Sequence, residues 1–311
     1  MLRVLFAGTP EFAVASLAAL ANAQAADVVG VLTQPDRPRG RGRRVTPSPV
    51  KAAAEARGIE VLQPTDLTDP AFLARFDELA PDLMVVAAYG RILTQAFIDR
   101  PRLGTINVHA SLLPRWRGAA PIQRALMAGD SETGITIMRV VRELDAGPII
   151  LCRAVPIGPE TTFPELHDAL AELGGRALAE ALAQAEPDGF ASETPQDPAQ
   201  VTYAHKITAA DCLVEWRGDA ATIDRQVRAL TPRPGATAEV TGITVKLLAG
   251  RALGSIPGAV PGSLVRHGAE GIVVACGDGA YAVTALKPEG KGQMSAAEFS
   301  NGYLSRRAAA R

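Results

Sequence analysis

The sequence predicts an α/β protein with a doubly wound, mostly parallel, Rossmann-like sheet, followed by a small OB-like β-barrel. In the first half of the 311-residue chain, short apolar segments alternate with segments of helical period. This alternation is typical of a parallel sheet that is covered by helices on both faces. Past a proline-rich stretch, the pattern changes to short strands separated by turn residues. We therefore expect an α/β domain over residues 1–188, a linker over 189–205 and a second domain over 206–311.

Seven strands are predicted in the first domain, each a short and largely apolar run. They are Arg3–Gly8, Asp27–Thr33, Glu60–Leu62, Asp82–Ala87, Thr105–His109, Gly134–Val141 and Ile149–Val155. Five helices are predicted between and after them. Two of them begin at a proline: one at Pro10 with Thr9 as N-cap, and one at Pro70 with Asp69 as N-cap. The other three span Val50–Arg57, Pro121–Ala128 and His167–Ala185. Proline at a first helical position costs no hydrogen bond, and Thr or Asp before it can accept from a free backbone N–H.

Five short strands and one helix are predicted in the second domain. The strands are Cys212–Trp216, Ala236–Val240, Thr244–Leu248, Gly271–Cys276 and Tyr281–Leu286, and the helix is Ile223–Leu230. Asp278-Gly279 predicts a hairpin turn, because both residues tolerate the positive φ angles that such turns require. Ser295 with Glu298 predicts a capping box at a C-terminal helix.

Composition limits the class of protein. The chain carries 32 basic and 33 acidic side chains, but residues 1–205 have a balance of −5 and residues 206–311 one of +4. A basic second domain favours a polyanionic partner. The three scattered cysteines match neither a disulfide framework nor a metal site, and no apolar run is long enough for a signal peptide or a membrane span. We expect a monomer in the cytoplasm, without metal.

The segment from Asn107 to Pro121 carries the strongest functional signal. Alternate residues of a strand point to the same face, so Asn107 and His109 are presented together at the carboxyl end of a predicted strand. Ligands of α/β sheets bind at this edge. An amide N–H and an imidazole aimed at one oxygen can stabilise the negative charge that develops during acyl transfer. For an isolated histidine, a buried core role would be the favoured alternative.

Asp145 is the candidate partner of His109, because an imidazole needs a neighbouring group that fixes its tautomer and charge. It follows the predicted strand Gly134–Val141, in a turn that Gly147 and Pro148 permit. We expect this turn at the carboxyl edge of the sheet. The alternative is a turn carboxylate that accepts only from its own backbone.

Asn-x-His-x-Ser-Leu-Leu-Pro-x3-Gly-x2-Pro, followed by Leu-Asp-x-Gly-Pro, resembles the signature of the folate-dependent formyltransferases. The segments 6–13, 33–38, 86–90 and 112–123 are similar to the members that formylate methionyl initiator tRNA, in translation initiation. The similarity extends over essentially the whole chain. It implies a catalytic domain, a tRNA-binding second domain and 10-formyltetrahydrofolate as co-substrate. It also favours a catalytic role for Asn107, His109 and Asp145 over the alternatives above.

The same resemblance implies two binding sites. The folate site would comprise Ser111, Leu112, Leu113 and Pro114, together with a backbone wall for the pterin ring at Tyr89, Gly90 and Arg91. The tRNA site would include the loop 36–44, which holds five arginines in eight residues: Arg37, Arg39, Arg41, Arg43 and Arg44. Arg41 or Arg43 is the closest counterpart of a basic residue that enters the acceptor stem. In the second domain, Lys206, Lys246, Lys287, Lys291, Arg306 and Arg307 could contact phosphates, although scattered charges usually serve solubility alone.

Other classes of protein fit the sequence less well. Gly8-Thr9-Pro10-Glu11 lacks the Gly-x-Gly-x-x-Gly that brings a backbone against a pyrophosphate, which disfavours a nicotinamide dehydrogenase. A formyltransferase that acts on an amino sugar nucleotide would share the central motif but has less use for the arginine-rich loop. A nucleic-acid-binding protein with an inactive catalytic domain would not require Asn107, His109 and Asp145.

Overall fold

The computed structural model describes residues 1–39, 44–268 and 271–304 and, at Arg39 and Arg44, the backbone alone. Arg41, Arg43, Arg306 and Arg307, which the sequence suggests as RNA contacts, lie outside the described residues. The described chain divides into two compact units. The first comprises the described parts of 1–121, 132–156 and 167–204, and the second those of 122–131, 157–166 and 205–311.

The strands and helices are numbered in chain order. The strands are β1 (Leu2–Gly8), β2 (Ala26–Leu32), β3 (Arg37–Arg39), β4 (Arg44–Thr46), β5 (Val61–Leu62), β6 (Leu83–Ala87), β7 (Thr105–His109), β8 (Arg117–Gly118), β9 (Glu132–Arg139), β10 (Ile149–Pro156), β11 (Ala185–Glu186), β12 (Gly189–Phe190), β13 (Tyr203–Ala204), β14 (Ala236–Val240), β15 (Ile243–Leu253), β16 (Leu264–Gly268), β17 (Gly271–Ala275), β18 (Ala280–Pro288) and β19 (Met294–Ser295). The helices are α1 (Glu11–Asn22), α2 (Pro49–Glu55), α3 (Pro70–Leu79), α4 (Gln95–Ile98), α5 (Pro121–Ala128), α6 (Phe163–Ala183), α7 (Ala220–Leu230) and α8 (Ala296–Phe299). Among the residues described, no helix is both long and apolar enough to cross a membrane.

A seven-stranded sheet forms the centre of the first unit, in the order β10-β9-β7-β6-β1-β2-β5. The pairs from β7 to β5 are all parallel, while β9 runs antiparallel to both β7 and β10. The predicted mostly parallel α/β sheet is therefore confirmed. β1 and β6 read as nearly continuous apolar runs because both faces of these central strands are buried.

Of the two N-terminal caps predicted for helices, one is confirmed and one is wrong. Asp69 caps α3 as predicted, accepting from the backbone N–H groups of Ala71 and Phe72. The predicted cap by Thr9 is wrong, since Pro10 is the N-cap of α1 and no side chain caps it. The hydroxyl of Thr9 instead donates to the carbonyl of Tyr89 at 2.9 Å. A long-range partner has replaced the local one.

The second unit contains an antiparallel sheet in the order β14-β15-β18-β17-β16, with β19 paired to β18. The hairpin at Asp278-Gly279 joins β17 to β18 as predicted, and Gly279 adopts a φ of 77°. The capping box of Ser295 and Glu298 is also confirmed. Buried residues of the sheet pack with α7 and α8 in one apolar core.

Two details of the second unit differ from the sequence-based prediction. The segment Cys212–Trp216 is not a strand: Cys212 ends a 3-10 turn, and Leu213 forms an isolated bridge with Thr237. Strand β16 was not predicted. Its sequence, Leu-Val-Arg-His-Gly, is mostly exposed and lacks the apolar alternation of a half-buried strand.

Candidate active site

Strand β7 positions the first two candidate catalytic residues. It lies between β6 and β9, with Asn107 opposite Val86 on one side and His109 opposite Thr136 on the other. Its bounds, Thr105–His109, are those predicted from the sequence. Because Asn107 and His109 are two residues apart in a regular strand, both side chains point to the same face of the sheet.

The imidazole of His109 is held by one carbonyl and faces one carboxylate. The side chain is only 6% exposed. Its Nε2 lies 2.9 Å from the carbonyl oxygen of Trp116, and its Nδ1 lies 3.7 Å from Oδ2 of Asp145. A carbonyl oxygen only accepts hydrogen bonds, so Nε2 carries a proton. The second ring nitrogen, Nδ1, faces the carboxylate at a distance longer than a direct hydrogen bond.

Asp145 is held by the same loop that it faces. Its Oδ2 accepts from the backbone N–H of Gly118 at 2.8 Å. The residue has a φ of 48°, in the left-handed region, which costs about 1 kcal/mol for a residue other than glycine. Strain of this kind persists where surrounding contacts hold the backbone. The structure thus brings His109 and Asp145 together, as the sequence suggests.

The expected route of Asp145 to the site is wrong, however. The expectation treated the preceding strand as parallel, so that its end would lie at the carboxyl edge of the sheet. In the structure β9 is antiparallel to β7, and Arg139 at its end pairs with Ile106 near the start of β7. Asp145 reaches His109 through the loop that joins β9 to β10.

Asn107 differs from its two neighbours in its hydrogen bonding. It is partly buried, and among the described residues the structure gives its carboxamide no hydrogen-bond partner. An amide N–H beside an imidazole is a suitable donor pair for an oxygen that becomes negatively charged in a transition state.

The loop after β7 is shaped by internal hydrogen bonds. Ser111 is fully buried, and its hydroxyl donates to the carbonyl of Arg115 at 2.6 Å. The hydroxyl of Thr136, on β9, accepts from the N–H of Leu113 and donates to the carbonyl of Ser111. The Ser111 hydroxyl is therefore committed to the loop. In this loop Leu113 is buried, whereas Leu112 and Pro114 are partly exposed.

The predicted pterin wall after β6 is a left-handed turn. Ala88 and Gly90 have φ angles of 47° and 79°, and a side chain at Gly90 would collide with the amide of Gln34. The carbonyl of Tyr89 accepts from Thr9 and Gln34. Arg91 donates from its guanidinium to the carbonyls of residues 64 and 65. Tyr89 and Arg91 thus shape this wall, and burial raises the pKa of the Tyr89 phenol.

Two residues that the sequence does not single out hold the site from the segment 194–204. The hydroxyl of Thr202 accepts from the backbone N–H of Trp116 at 2.9 Å. The side chain of Gln196 bonds to the backbone of Asp145 and Gly147. In addition, β13 pairs with β8 in parallel. The predicted linker is mostly exposed, but its last residues are hydrogen-bonded within the first unit. Polar residues in a proline-rich stretch give no local signal for this role.

The predicted tRNA-contacting residues that the structure describes lie on the surface. Arg37 lies in β3, which forms a short hairpin with β4, and its side chain is exposed. Near the base of this hairpin, Asp36 forms an ion pair of 2.7 Å with Lys51, and this contact lowers the pKa of the Asp36 carboxyl. In the second unit Lys206, Lys287 and Lys291 are all exposed. Lys246 lies directly opposite Lys287 on the adjacent strand.

A doubly wound sheet with an amide, an imidazole and a carboxylate at one loop has the features of a group-transfer enzyme of the α/β class. Among the described residues, no cluster of three or more His, Cys, Asp or Glu side chains could bind a metal ion. Two family profiles match the chain: formyl transferase over residues 2–182, and formyl transferase, C-terminal domain, over residues 206–304. The chain belongs to the formyl transferase family.

Similar proteins extend over the full length of the chain. A methionyl-tRNA formyltransferase of Methylococcus capsulatus is 47% identical over 302 residues, covering 97% of each chain. One of Ralstonia nicotianae is 49% identical, covering 97% of this chain and 95% of that protein. HypX from Aquifex aeolicus in complex with tetrahydrofolic acid has a similar fold, with a TM-score of 0.64 and 21% identity over 97% of this chain and 48% of that one.

Proposed function

We propose that the protein transfers a formyl group from 10-formyltetrahydrofolate to the α-amino group of methionyl initiator tRNA, as a monomer in the cytoplasm. The observation that carries this proposal is the similarity over 97% of the chain to methionyl-tRNA formyltransferases. It includes both the catalytic part and the basic C-terminal part, which we assign to residues 1–188 and 206–311. The product would serve translation initiation.

In the proposed reaction, the amine nitrogen attacks the formyl carbon, and a tetrahedral intermediate with a negative oxygen forms. The free amide N–H of Asn107 donates to that oxygen. The Nε2–H of His109 exchanges its acceptor, the Trp116 carbonyl, for the same oxygen. Asp145 sustains the charge on the ring and helps to remove the proton of the amine, through water. The bond from carbon to the folate nitrogen then breaks, and that nitrogen takes up a proton.

The folate would bind between the loop 111–114 and the turn 89–91. A flat heterocycle with donor and acceptor edges suits a slot lined by main chain and apolar side chains. Leu112 and Pro114 provide partly exposed apolar surface. Ser111 and Arg91 contribute by fixing the backbone on either side, since their polar groups are bonded to carbonyls within the protein.

The tRNA would contact the arginine-rich hairpin through Arg37, Arg39, Arg41, Arg43 and Arg44, and the second domain through Lys206, Lys287 and Lys291. Guanidinium groups bind phosphates in pairs of hydrogen bonds and stack on exposed bases. Lys246 and Lys287 lie opposite each other on adjacent strands, and the ammonium of Lys246 donates to the carbonyl of Pro234.

A formyl-transfer assay with three acceptors tests this function. With 10-formyltetrahydrofolate as donor, we expect the highest kcat/KM for methionyl initiator tRNA, a lower one for elongator methionyl-tRNA and no turnover of an amino sugar nucleotide. Discrimination would follow because only the first acceptor satisfies both the amine site and the basic surfaces. Preferred turnover of the amino sugar nucleotide would overturn the proposal.

Replacing Arg39, Arg41 and Arg43 with Ala should weaken tRNA binding and flatten its salt dependence. Each lost phosphate contact reduces counterion release and so lowers the slope of log K against log salt concentration by about 0.7–0.9 in magnitude. The measurement is tRNA affinity at several salt concentrations, with folate affinity expected to stay the same. Arg57→Ala, in the turn after α2, and Arg176→Ala, on α6, serve as controls, because both side chains are exposed and lie within the first 188 residues. A slope equal to that of the parent would remove the hairpin from the tRNA site.

A further inference from the structure

We propose that Gln196 is a positioning residue for the transfer reaction, because its carboxamide holds the Asp145 turn at the distance from His109 that the chemistry requires. The inference rests on the proposed function. Gln196 touches none of the three candidate catalytic side chains. It acts on the backbone that carries one of them.

The Gln196 carboxamide bonds to the Asp145 turn and to Arg117, and its Nε2 also lies 4.0 Å from the sulfur of Met138 on β9. Its Nε2 donates to the carbonyls of Asp145 and Gly147, each at 2.8 Å. Its Oε1 accepts from Nε of Arg117 at 3.0 Å. Gln196 is also the one residue between 191 and 200 that is partly buried rather than exposed. The side chain of Gln196 is therefore hydrogen-bonded within the protein, whereas the residues around it are exposed to solvent.

The turn that Gln196 contacts is poorly held by its own bonds. Asp145 has a left-handed φ of 48°, and the N–H of Ala146 reaches the carbonyl of Glu143 only at 3.4 Å. Gly147 lies so close to the end of β9 that a Cβ atom would come within 2.0 Å of the Arg139 carbonyl oxygen. The two bonds from Gln196 hold the turn at the carbonyl of the strained residue and at the carbonyl two residues later.

Gln196 also holds the other side of the Asp145 contact. Asp145 accepts from the N–H of Gly118, and the preceding residue, Arg117, is the one that donates to Gln196. The Arg117 side chain is 7% exposed and lies 3.4 Å from Glu143, at the start of the same turn. Gln196, Asp145, Gly118 and Arg117 therefore form a closed ring of contacts. The ring fixes the carboxylate relative to the loop whose Trp116 carbonyl binds His109.

A double-mutant cycle tests the positioning role. Gln196→Met keeps the length of the side chain but removes every hydrogen bond, and should lower kcat about 10- to 100-fold, as displacement of a reacting group does. KM for folate and for tRNA should stay within about twofold, because Gln196 is not among the residues proposed to bind either substrate. In an Asp145→Asn background, Gln196→Met should have no further effect on kcat. A merely structural role would instead lower kcat by the same factor in both backgrounds.

Gln200→Met is the matched control, since Gln200 belongs to the same segment and bonds only to Asp197. It should match the parent. Gln196→Glu keeps an acceptor for Arg117 but places a carboxylate against two carbonyl oxygens, so its kcat should fall. This variant provides a second test if Gln196→Met folds poorly. Parental kcat in Gln196→Glu, or additive losses in the cycle, would overturn the inference.

A measurement that does not depend on catalysis, the NMR shifts of a ring nitrogen, separates this inference from the proposed function. The ring nitrogen shifts of His109, among four histidines in the chain, should change in Gln196→Met and stay unchanged in Gln200→Met. A parent protein that transfers no formyl group would overturn the function while these shifts still report on positioning. Identical shifts in all three proteins would overturn the positioning role itself.

Discussion

Replacing Asn107 with Ala should lower kcat for formyl transfer about 10²- to 10³-fold, the loss that follows removal of one oxyanion donor. The carboxamide is partly buried at the end of β7, and no described residue bonds to it. Truncation therefore leaves no protein group unpaired, and stability should change little. The loss would be specific to the transition state, since the negative oxygen exists only there. Steady-state kinetics with both substrates measure it, with KM nearly unchanged.

Two further variants support the interpretation of this result. Asn107→Asp keeps the shape of the side chain but replaces the N–H donor with a negative acceptor, so its loss should be at least as large. Asn22→Ala, at the exposed end of α1, should match the parent. If Asn107→Ala transfers formyl groups as fast as the parent, the assignment of Asn107 to the oxyanion is wrong.

Local sequence signals predicted the elements that carry the site. The bounds of β7 agree at both ends, because an apolar run between a glycine and a polar loop specifies a buried strand without long-range information. The cap by Asp69 and the hairpin at Asp278-Gly279 agree for the same reason. In the last two cases the residues that decide the conformation lie within three positions of one another.

Contacts between distant segments account for what the sequence did not predict. Thr9 loses its capping role to a carbonyl 80 residues away. Gln196 binds the Asp145 turn across 51 residues, and Thr202 binds Trp116 across 86. A polar side chain carries no local mark of such a partner. The sequence therefore places the chemistry on β7 but omits the groups that hold it.

The approach of Asp145 to His109 also depends on a feature that the sequence did not predict, the direction of β9. The sequence suggested the pair on the premise of a parallel strand, whereas β9 is antiparallel. An apolar run does not specify the direction of a strand, and a connection long enough for a parallel crossover also permits an antiparallel return. The pair is formed because the loop after β9 folds back to Gly118.

Asp145→Asn should lower kcat about 10²- to 10⁴-fold, in the range that general acid–base groups contribute. Oδ2 of Asp145 both accepts from the N–H of Gly118 and faces Nδ1 of His109, and the carboxamide oxygen of an asparagine can take its place. The variant therefore keeps the contacts of this oxygen but loses the negative charge beside the ring. The site would lose the carboxylate that faces the imidazole and that, in the proposed reaction, helps to remove the proton of the amine.

Comparison with two other variants separates this electrostatic effect from loss of structure. Asp145→Ala also removes the acceptor of the Gly118 N–H, so it should be less stable than Asp145→Asn by about 1–3 kcal/mol. Asp168→Asn breaks a second Asp–His pair, in which Asp168 is 79% exposed and lies 2.8 Å from His167. That variant should keep the parental kcat, because a solvated pair outside the loop has no part in the transfer. If Asp145→Asn has the same kcat as the parent, the carboxylate has no part in the proposed chemistry. Its role would then be limited to the hydrogen bond with Gly118.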